Sequence, residues 1–442
     1  MIVVDLKKAA LEAQNRLTDR GDIKMKRKDT LLPGCHECAQ LSGRRLSTMN
    51  IPKALLAIMA LILSLSAAPA GLCEPLPEAD SLPVPVDVRL TAEEVCAQLT
   101  LREKVGQLFI VRPEKLSFVY GDGEPVRVDG GKTEVTDVMR TAYARYPVGG
   151  FALFGENIAS PDQLRRFIGD LRSMCSVIPF LAVDEEGGSV ARLANKKSMG
   201  IDNVGSMLNI GKGKITGTSG DPRNAYEAGA IIGGYLSDYG FTLDFAPVAD
   251  LQGPVLGSRS FGSDPQLVST MVASFIDGLH SRNVMACIKH FPGLGSTKSD
   301  THKGFSAIDK TGAELMSADL VPFVDNLGRT DMVMVAHATL TKLGDDTPAS
   351  LSRQIISQGL RGQLGYNGVA ITDSLEMGAV TQKYKSAEAA VMAIDAGIDV
   401  LLMPSSLISA FDGVVAAVES GRISQERLDE SVLRILRLKL GE

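Results

Sequence analysis

The chain has 442 residues, 45% of them hydrophobic and 22% charged, which is ordinary globular usage and excludes intrinsic disorder, a collagen-like repeat and a disulfide-framed miniprotein. Its 46 Lys and Arg against 52 Asp and Glu give a formal charge of −6, so there is no polybasic surface to draw in nucleic acid and no such partner is expected. With no Trp in the chain, a carbohydrate site would have to work through Tyr, Phe and polar contacts.

Residues 1–48 are a polar stretch carrying Lys24, Lys26, Arg27 and Lys28, which reads as a doubtful extension, and translation is expected to start at Met49. Residues 54–68 form an apolar run preceded by Lys53 and followed by Ala68-Pro69-Ala70, the small-x-small pattern of a signal-peptidase site. The run is too short to cross about 30 Å of hydrocarbon as a helix, and Pro69 stops it. Residues 49–70 therefore read as a cleaved signal peptide, and the protein as secreted or periplasmic without a stable membrane anchor. Lipid anchoring at Cys73 is not expected, because Leu72 stands where a lipobox has Gly or Ala. The C-x-x-C spacing of Cys35 and Cys38 lacks a second Cys/His pair nearby, so it reads as a chance pair rather than a metal site.

Residues 71–91 read as a linker or wrapping arm, Pro-rich and extended from Pro83 to Thr91, and a helix at 92–99 opens a catalytic domain that runs over 92–442. Short apolar runs then recur at 106–111, 150–154, 179–183, 243–248, 284–288, 332–336, 369–372 and 400–403. Helix-length stretches separate most of them, among them 161–175, 225–239, 265–282 and 386–396. Alternation of strand and helix implies parallel pairing, and strands apolar throughout imply a sheet covered on both faces. Eight such units favour an α/β fold of the single (β/α)₈ TIM type over an open doubly wound sheet. A last helix at 424–439 lies close to the final residue, so one domain is expected to carry the function. Cys175 and Cys287, in or beside apolar runs, read as buried thiols, and a disulfide between Cys73 and Cys96 is left open.

Polar residues cluster just after the strands: Asp184, Asp250, Lys289-His290, His337 and Asp373. In a barrel of this kind the loops at the strand C-termini build the active site. The segment Lys289-His290-Phe291-Pro292-Gly293-Leu294-Gly295 is followed by Asp300-Thr301-His302. A carboxylate two residues before an imidazole can hold one ring N–H and leave the other nitrogen for proton transfer, an acid/base dyad. Gly368 to Ser374 brings Asp373 to the mouth end of a strand, where it can attack a substrate carbon or cap the next helix. The run Asp184-Glu185-Glu186-Gly187-Gly188 continues to Arg192, grouping carboxylates and a guanidinium suited to sugar hydroxyls. No H-E-x-x-H or grouped His points to metal. Residues 205–214 lack phosphate-loop spacing and read as a solvated loop.

These three segments, in this order, resemble the β-N-acetylhexosaminidases of glycoside hydrolase family 3, over about residues 105–439. The resemblance implies an exo-acting retaining glycosidase that removes terminal β-linked N-acetylglucosamine from cell-wall or chitin-type oligosaccharides, as a monomer and without a cofactor. Asp373 would be the nucleophile and His302 the general acid/base, supported by Asp300. The sugar-binding positions of the family fall on Asp184, Arg192, Arg259, Lys289 and His290, with His337 at a strand end where the family lines its pocket. Leu294 stands where the family often has His, and Glu185 where Gln is frequent, which puts substrate preference and pocket hydrogen bonding in question. A retaining glycosidase usually sets two carboxyl groups about 5 to 5.5 Å apart; here the His302 imidazole, with an unperturbed pKa near 6.5, would take the second place. The rival readings are a family 3 β-glucosidase and a noncatalytic sugar-binding barrel.

Overall fold

Runs of β-branched and aliphatic residues set the frame. In the computed structural model, which describes residues 90–121, 124–297 and 306–442, they form eight short parallel strands. These are β1 (Phe109–Val111), β2 (Gly150–Leu153), β3 (Phe180–Val183), β4 (Leu243–Asp244), β5 (Met285–Phe291), β6 (Met332–Val335), β7 (Val369–Thr372) and β8 (Leu401–Leu402). From β1 to β7 each strand pairs with the next, and β1 also pairs with β8. A parallel bridge between Ile371 and Val400 joins β7 to the start of β8 and closes the ring, as expected for the (β/α)₈ barrel. Phe180–Val183, Met332–Val335 and Val369–Thr372 are buried along their whole length, because helices cover the outside and side chains fill the inside.

The helical layer includes α1 (Ala92–Gln98), α2 (Leu101–Gln107), α3 (Asp137–Arg145), α4 (Pro161–Met174), α5 (Arg223–Tyr239), α6 (Pro265–His280), α7 (Ser386–Ala396), α8 (Leu407–Glu419) and α9 (Gln425–Leu440). Their starts are legible in the sequence. Thr91 with Glu94 and Thr100 with Glu103 form reciprocal capping boxes, and Ser160 and Asp264 cap helices whose first residue is Pro, each satisfying N–H groups that the helix leaves open.

Three segments differ from the sequence expectation. The strand expected at 106–111 begins only at Phe109, because the Thr100 capping box winds 101–107 into α2. A side chain at Gly106 would meet the Pro147 carbonyl oxygen at 2.0 Å, so the helix runs against the chain entering β2. The strand expected at 243–248 is paired only at Leu243–Asp244; Pro247, without an N–H, interrupts the ladder, and pairing resumes at a bridge between Val248 and Lys289. Residues 205–214 include a short helix, Met207–Gly211, capped by Ser206, rather than solvated loop alone.

At the end of the barrel opposite the site, Asp399 is fully buried. It pairs with Arg361 and with Arg434 at 3.2 Å, and accepts from Ser431 Oγ at 2.6 Å and the Ala370 N–H at 3.0 Å. This cluster pins α9 and the helix after β6 to the strands, a stabilising task typical of that face. Cys96, Cys175 and Cys287 are buried and form no disulfide among the described residues, and burial pushes Cys175 up to about 12, far from reactivity. Among the described residues no helix is long and apolar enough to cross a membrane. The N-terminal extension, the signal segment, Cys35, Cys38 and Cys73, and the pair Asp300 and His302 lie outside the described residues.

Candidate active site

The C-terminal ends of β3, β4, β5, β6 and β7 converge on one constellation, whose centre is Lys289. Its side chain is 2% exposed, and its ammonium lies 2.7 Å from Asp184 Oδ1 and 2.6 Å from Glu186 Oε1. Arg259 clamps the same Glu186 with two guanidinium nitrogens, each at 2.7 Å. Arg192 reaches Asp184 at 3.4 Å and stacks its guanidinium 5.1 Å from the Phe154 ring centre. The buried Nε of Arg192 has no hydrogen-bond partner among the described residues.

The backbone explains this convergence. Strand β3 ends at Val183, and Asp184 and Glu186, two residues apart, fall on one side of extended chain. Gly187 and Gly188, at φ of 86° and 60°, then reverse the chain through conformations that cost other residues strain. The returning residues Val190–Ala191 pair with Glu185–Gly187, which delivers Arg192 beside Asp184.

Asp250 fixes the end of β5. Its Oδ2 accepts from the His290 N–H at 3.0 Å and lies 2.7 Å from His290 Nδ1, while Oδ1 accepts from the Leu294 N–H at 2.6 Å. The ring is thereby oriented, with Nδ1–H toward the carboxylate and Nε2 at 3.5 Å from Arg259 Nη2. Leu294 is itself buried, and its backbone rather than its side chain does the anchoring.

Asp373 follows β7. Its N–H donates to the Val335 carbonyl at 2.9 Å, and its Oδ1 accepts from the Ser374 N–H at 2.7 Å. His337, at the end of β6, places Nε2 2.9 Å from the Ser374 carbonyl and Nδ1 2.6 Å from Ser350 Oγ. Both ring nitrogens therefore touch protein groups, and the ring braces the turn that carries Asp373.

The charges are mutually sustaining. Burial would push the Glu186 carboxyl up, but Lys289 and Arg259 bring it down to about 2. Burial opposes ionisation of Asp184 as well, and Lys289 and Arg192 hold it below the ordinary range. For Lys289 burial favours the neutral amine, yet Asp184 and Glu186 keep its pKa above that of a free lysine. Asp373 is likewise held low: burial raises it, but His290, His337 and the Ser374 N–H outweigh that. The result is an ionised carboxylate at the mouth of the barrel, beside fixed donors.

A fold and a site of this kind have counterparts. Residues 100–438 match the model of the glycosyl hydrolase family 3 N-terminal domain. The chain belongs to glycosyl hydrolase family 3. It is 30% identical to a β-hexosaminidase A of Pseudoalteromonas piscicida over 376 residues, 77% of this chain and 61% of that protein. It is 36% identical to a β-hexosaminidase of Tolumonas auensis over 271 residues, 60% of this chain and 78% of that one. A family 3 β-N-acetylglucosaminidase from a Paenibacillus species superposes with a TM-score of 0.68 at 34% identity, covering 78% of this chain and 63% of that one. The chain thus spans less than two thirds of the first and third of these proteins.

Within this family 3 barrel, Asp184, Arg192, Arg259, Lys289 and His290 are brought together, with Asp373 close enough for His290 and Lys289 to act on its charge. The sequence places Glu186, the partner shared by Lys289 and Arg259, only within an acidic run and assigns it no role of its own, although its spacing of two from Asp184 is a usable signal. Asp250 reads only as a strand-end residue; its hold on His290 depends on a contact across 40 positions. Phe154, flanked by Arg192 and by Arg112 at 5.7 Å, carried no motif. Among the described residues no group of His, Cys, Asp and Glu is arranged to hold a metal ion.

Proposed function

We propose that this chain is an exo-acting retaining β-N-acetylglucosaminidase, exported through residues 49–70 and acting on cell-wall or chitin-type oligosaccharides. The observation that carries the reading is the ionised Asp373 carboxylate set at a strand end beside the Lys289, Asp184, Glu186, Arg259 and Arg192 cluster. Buried, charge-fixed donors and acceptors of this kind suit directional hydrogen bonds to ring hydroxyls. Relatives of this similarity that carry β-hexosaminidase and β-N-acetylglucosaminidase names support the sugar preference.

In this reading Asp373 attacks the anomeric carbon and forms a glycosyl ester as the aglycone oxygen leaves. His302, oriented by Asp300, protonates that oxygen, and the same ring then deprotonates the water that hydrolyses the ester. Asp300 and His302 lie outside the described residues, and the described residues on either side of them, Thr297 and Ser306, are themselves hydrogen-bonded. Before them, Thr297 Oγ1 donates to the Leu294 carbonyl at 2.7 Å, next to the Asp250 anchor. After them, the Ser306 carbonyl accepts from the Thr339 N–H at 2.9 Å, two positions past His337.

The test is hydrolysis of chromogenic β-glycosides by the full chain. Preferred cleavage of the N-acetylglucosaminide over the glucoside is expected. Preference for the glucoside supports the family 3 β-glucosidase reading, and binding without turnover of either supports a noncatalytic sugar-binding barrel.

A further inference from the structure

The residue between the two sugar-site carboxylates does not face the sugar. Glu185 is fully buried and turned toward α5. Its carboxylate accepts from the Leu193 N–H and the Ala194 N–H, each at 2.9 Å, and from the Tyr235 hydroxyl of α5 at 2.9 Å. Its own N–H donates to Asp244 Oδ1 of β4 at 2.9 Å. Leu193 and Ala194 directly follow Arg192, so this one residue ties the returning strand of the hairpin to its outgoing strand, to α5 and to β4.

We infer that Glu185 is a positioning residue for Arg192: by holding the 193–194 backbone it sets the guanidinium against Asp184 and hence against the nonreducing sugar. The inference rests on the glycosidase reading above. It also gives a physical meaning to an acid at this position. An ionised carboxylate accepts on both oxygens, and the two backbone donors lie on different oxygens, Leu193 on Oε2 and Ala194 on Oε1. A glutamine offers one acceptor oxygen and sets an NH₂ against the other N–H.

The surroundings make this hold sensitive to protons. Burial raises the Glu185 carboxyl above its ordinary value, while the Leu193, Ala194 and Arg192 backbone donors and the Tyr235 hydroxyl pull it down. From β4, Asp244 faces it as a carboxyl held well above its usual range by burial, with an Oδ2 that has no hydrogen-bond partner among the described residues. Asp184 and Lys289 act on Asp244 in turn, and the Tyr235 phenol is kept neutral by burial and by Glu185. A proton on Glu185 converts an acceptor oxygen into a hydroxyl and leaves at least one of its donors unanswered. The grip on Arg192 then loosens, so KM rises as pH falls through the Glu185 pKa.

The experiment follows hydrolysis of para-nitrophenyl β-N-acetylglucosaminide across pH to obtain kcat and KM, and calorimetry gives the Kd for N-acetylglucosamine. It compares the wild type, Glu185→Gln, Tyr235→Phe, Arg192→Ala and the double variants with Arg192→Ala. Glu185→Gln should raise KM and Kd by roughly tenfold, the cost of losing a charge-assisted acceptor, with kcat within about twofold. The rise should vanish in the Arg192→Ala background, the signature of one residue acting through another. Tyr235→Phe, outside the sugar site, should give a smaller rise and move the acid limb of 1/KM to higher pH, because it removes a donor to the carboxylate. An equal KM rise with and without Arg192, or an unmoved acid limb in Tyr235→Phe, overturns the inference. Should Glu185→Gln not fold, Tyr235→Phe decides alone. A wild type that binds N-acetylglucosamine without turning over the glycoside defeats the activity reading, while the Kd series still decides the role of Glu185.

Discussion

Asp373→Asn is expected to lower kcat by on the order of 10⁴-fold or more while leaving the Kd for N-acetylglucosamine within a few-fold of wild type. The amide keeps the shape of the carboxyl and one oxygen to accept from the Ser374 N–H, now 2.7 Å from Oδ1. It cannot supply an anionic oxygen to the anomeric carbon. Lys289, Asp184 and Glu186 are held by bonds to one another and should keep their geometry. Steady-state kinetics with an aryl glycoside and calorimetry on the same protein separate the two effects. Near-normal kcat in this variant would remove Asp373 from the nucleophile role.

Lys289→Met should damage both stability and turnover, for separable reasons. Removing the ammonium leaves Asp184 and Glu186 buried with Arg192 and Arg259 as their remaining counter-charges. Breaking a buried pair from one side typically costs about 3 to 5 kcal/mol. The pH dependence carries a sign. In the wild type Glu186 has its pKa lowered to about 2, below the roughly 4.3 of an unfolded glutamate. Its contribution is therefore fully present above the unfolded value and is lost as pH falls toward about 2. Without Lys289 the Glu186 pKa rises, so the stability deficit should shrink as the pH is lowered toward protonation. Adding Glu186→Gln should recover much of the stability and none of the lost kcat/KM, because the sugar site then lacks two of its groups. Urea denaturation at neutral and acidic pH, with kcat/KM on the same three proteins, checks both halves. A double variant that regains activity along with stability would contradict a sugar-binding role for Lys289.

Much of the barrel is legible in the sequence because its signals are local. Continuous apolar runs, spaced by helix-length segments, set the strand number, and Thr100 with Glu103 or Asp264 with Pro265 mark helix starts. Boundaries fail where a local rule meets a tertiary one. Residues 106–107 are apolar-flanked enough for a strand, yet the Thr100 box and the close passage of Pro147 make them the end of a helix. Within the site, Asp184, Lys289 and Asp373 are readable as polar residues at strand ends. Glu185 sits in the same acidic run and so reads as a group of the pocket. Strand alternation turns it outward instead, onto α5 and the hairpin return. His337 is expected along the pocket wall, and its bonds to Ser350 and Ser374 show it bracing the Asp373 turn. Such roles depend on partners 13 and 37 positions away, which spacing along the chain does not encode.

The proposed mechanism turns on a covalent bond between the Asp373 carboxylate and the anomeric carbon. Incubation of the full chain with a 5-fluoro N-acetylglucosaminyl fluoride, followed by intact-mass analysis and peptide mapping, tests it directly. One sugar adduct per chain is expected, carried by the peptide that contains Asp373 and absent from Asp373→Asn. An adduct on any other residue, or turnover-dependent inactivation with Asp373 unmodified, would contradict it.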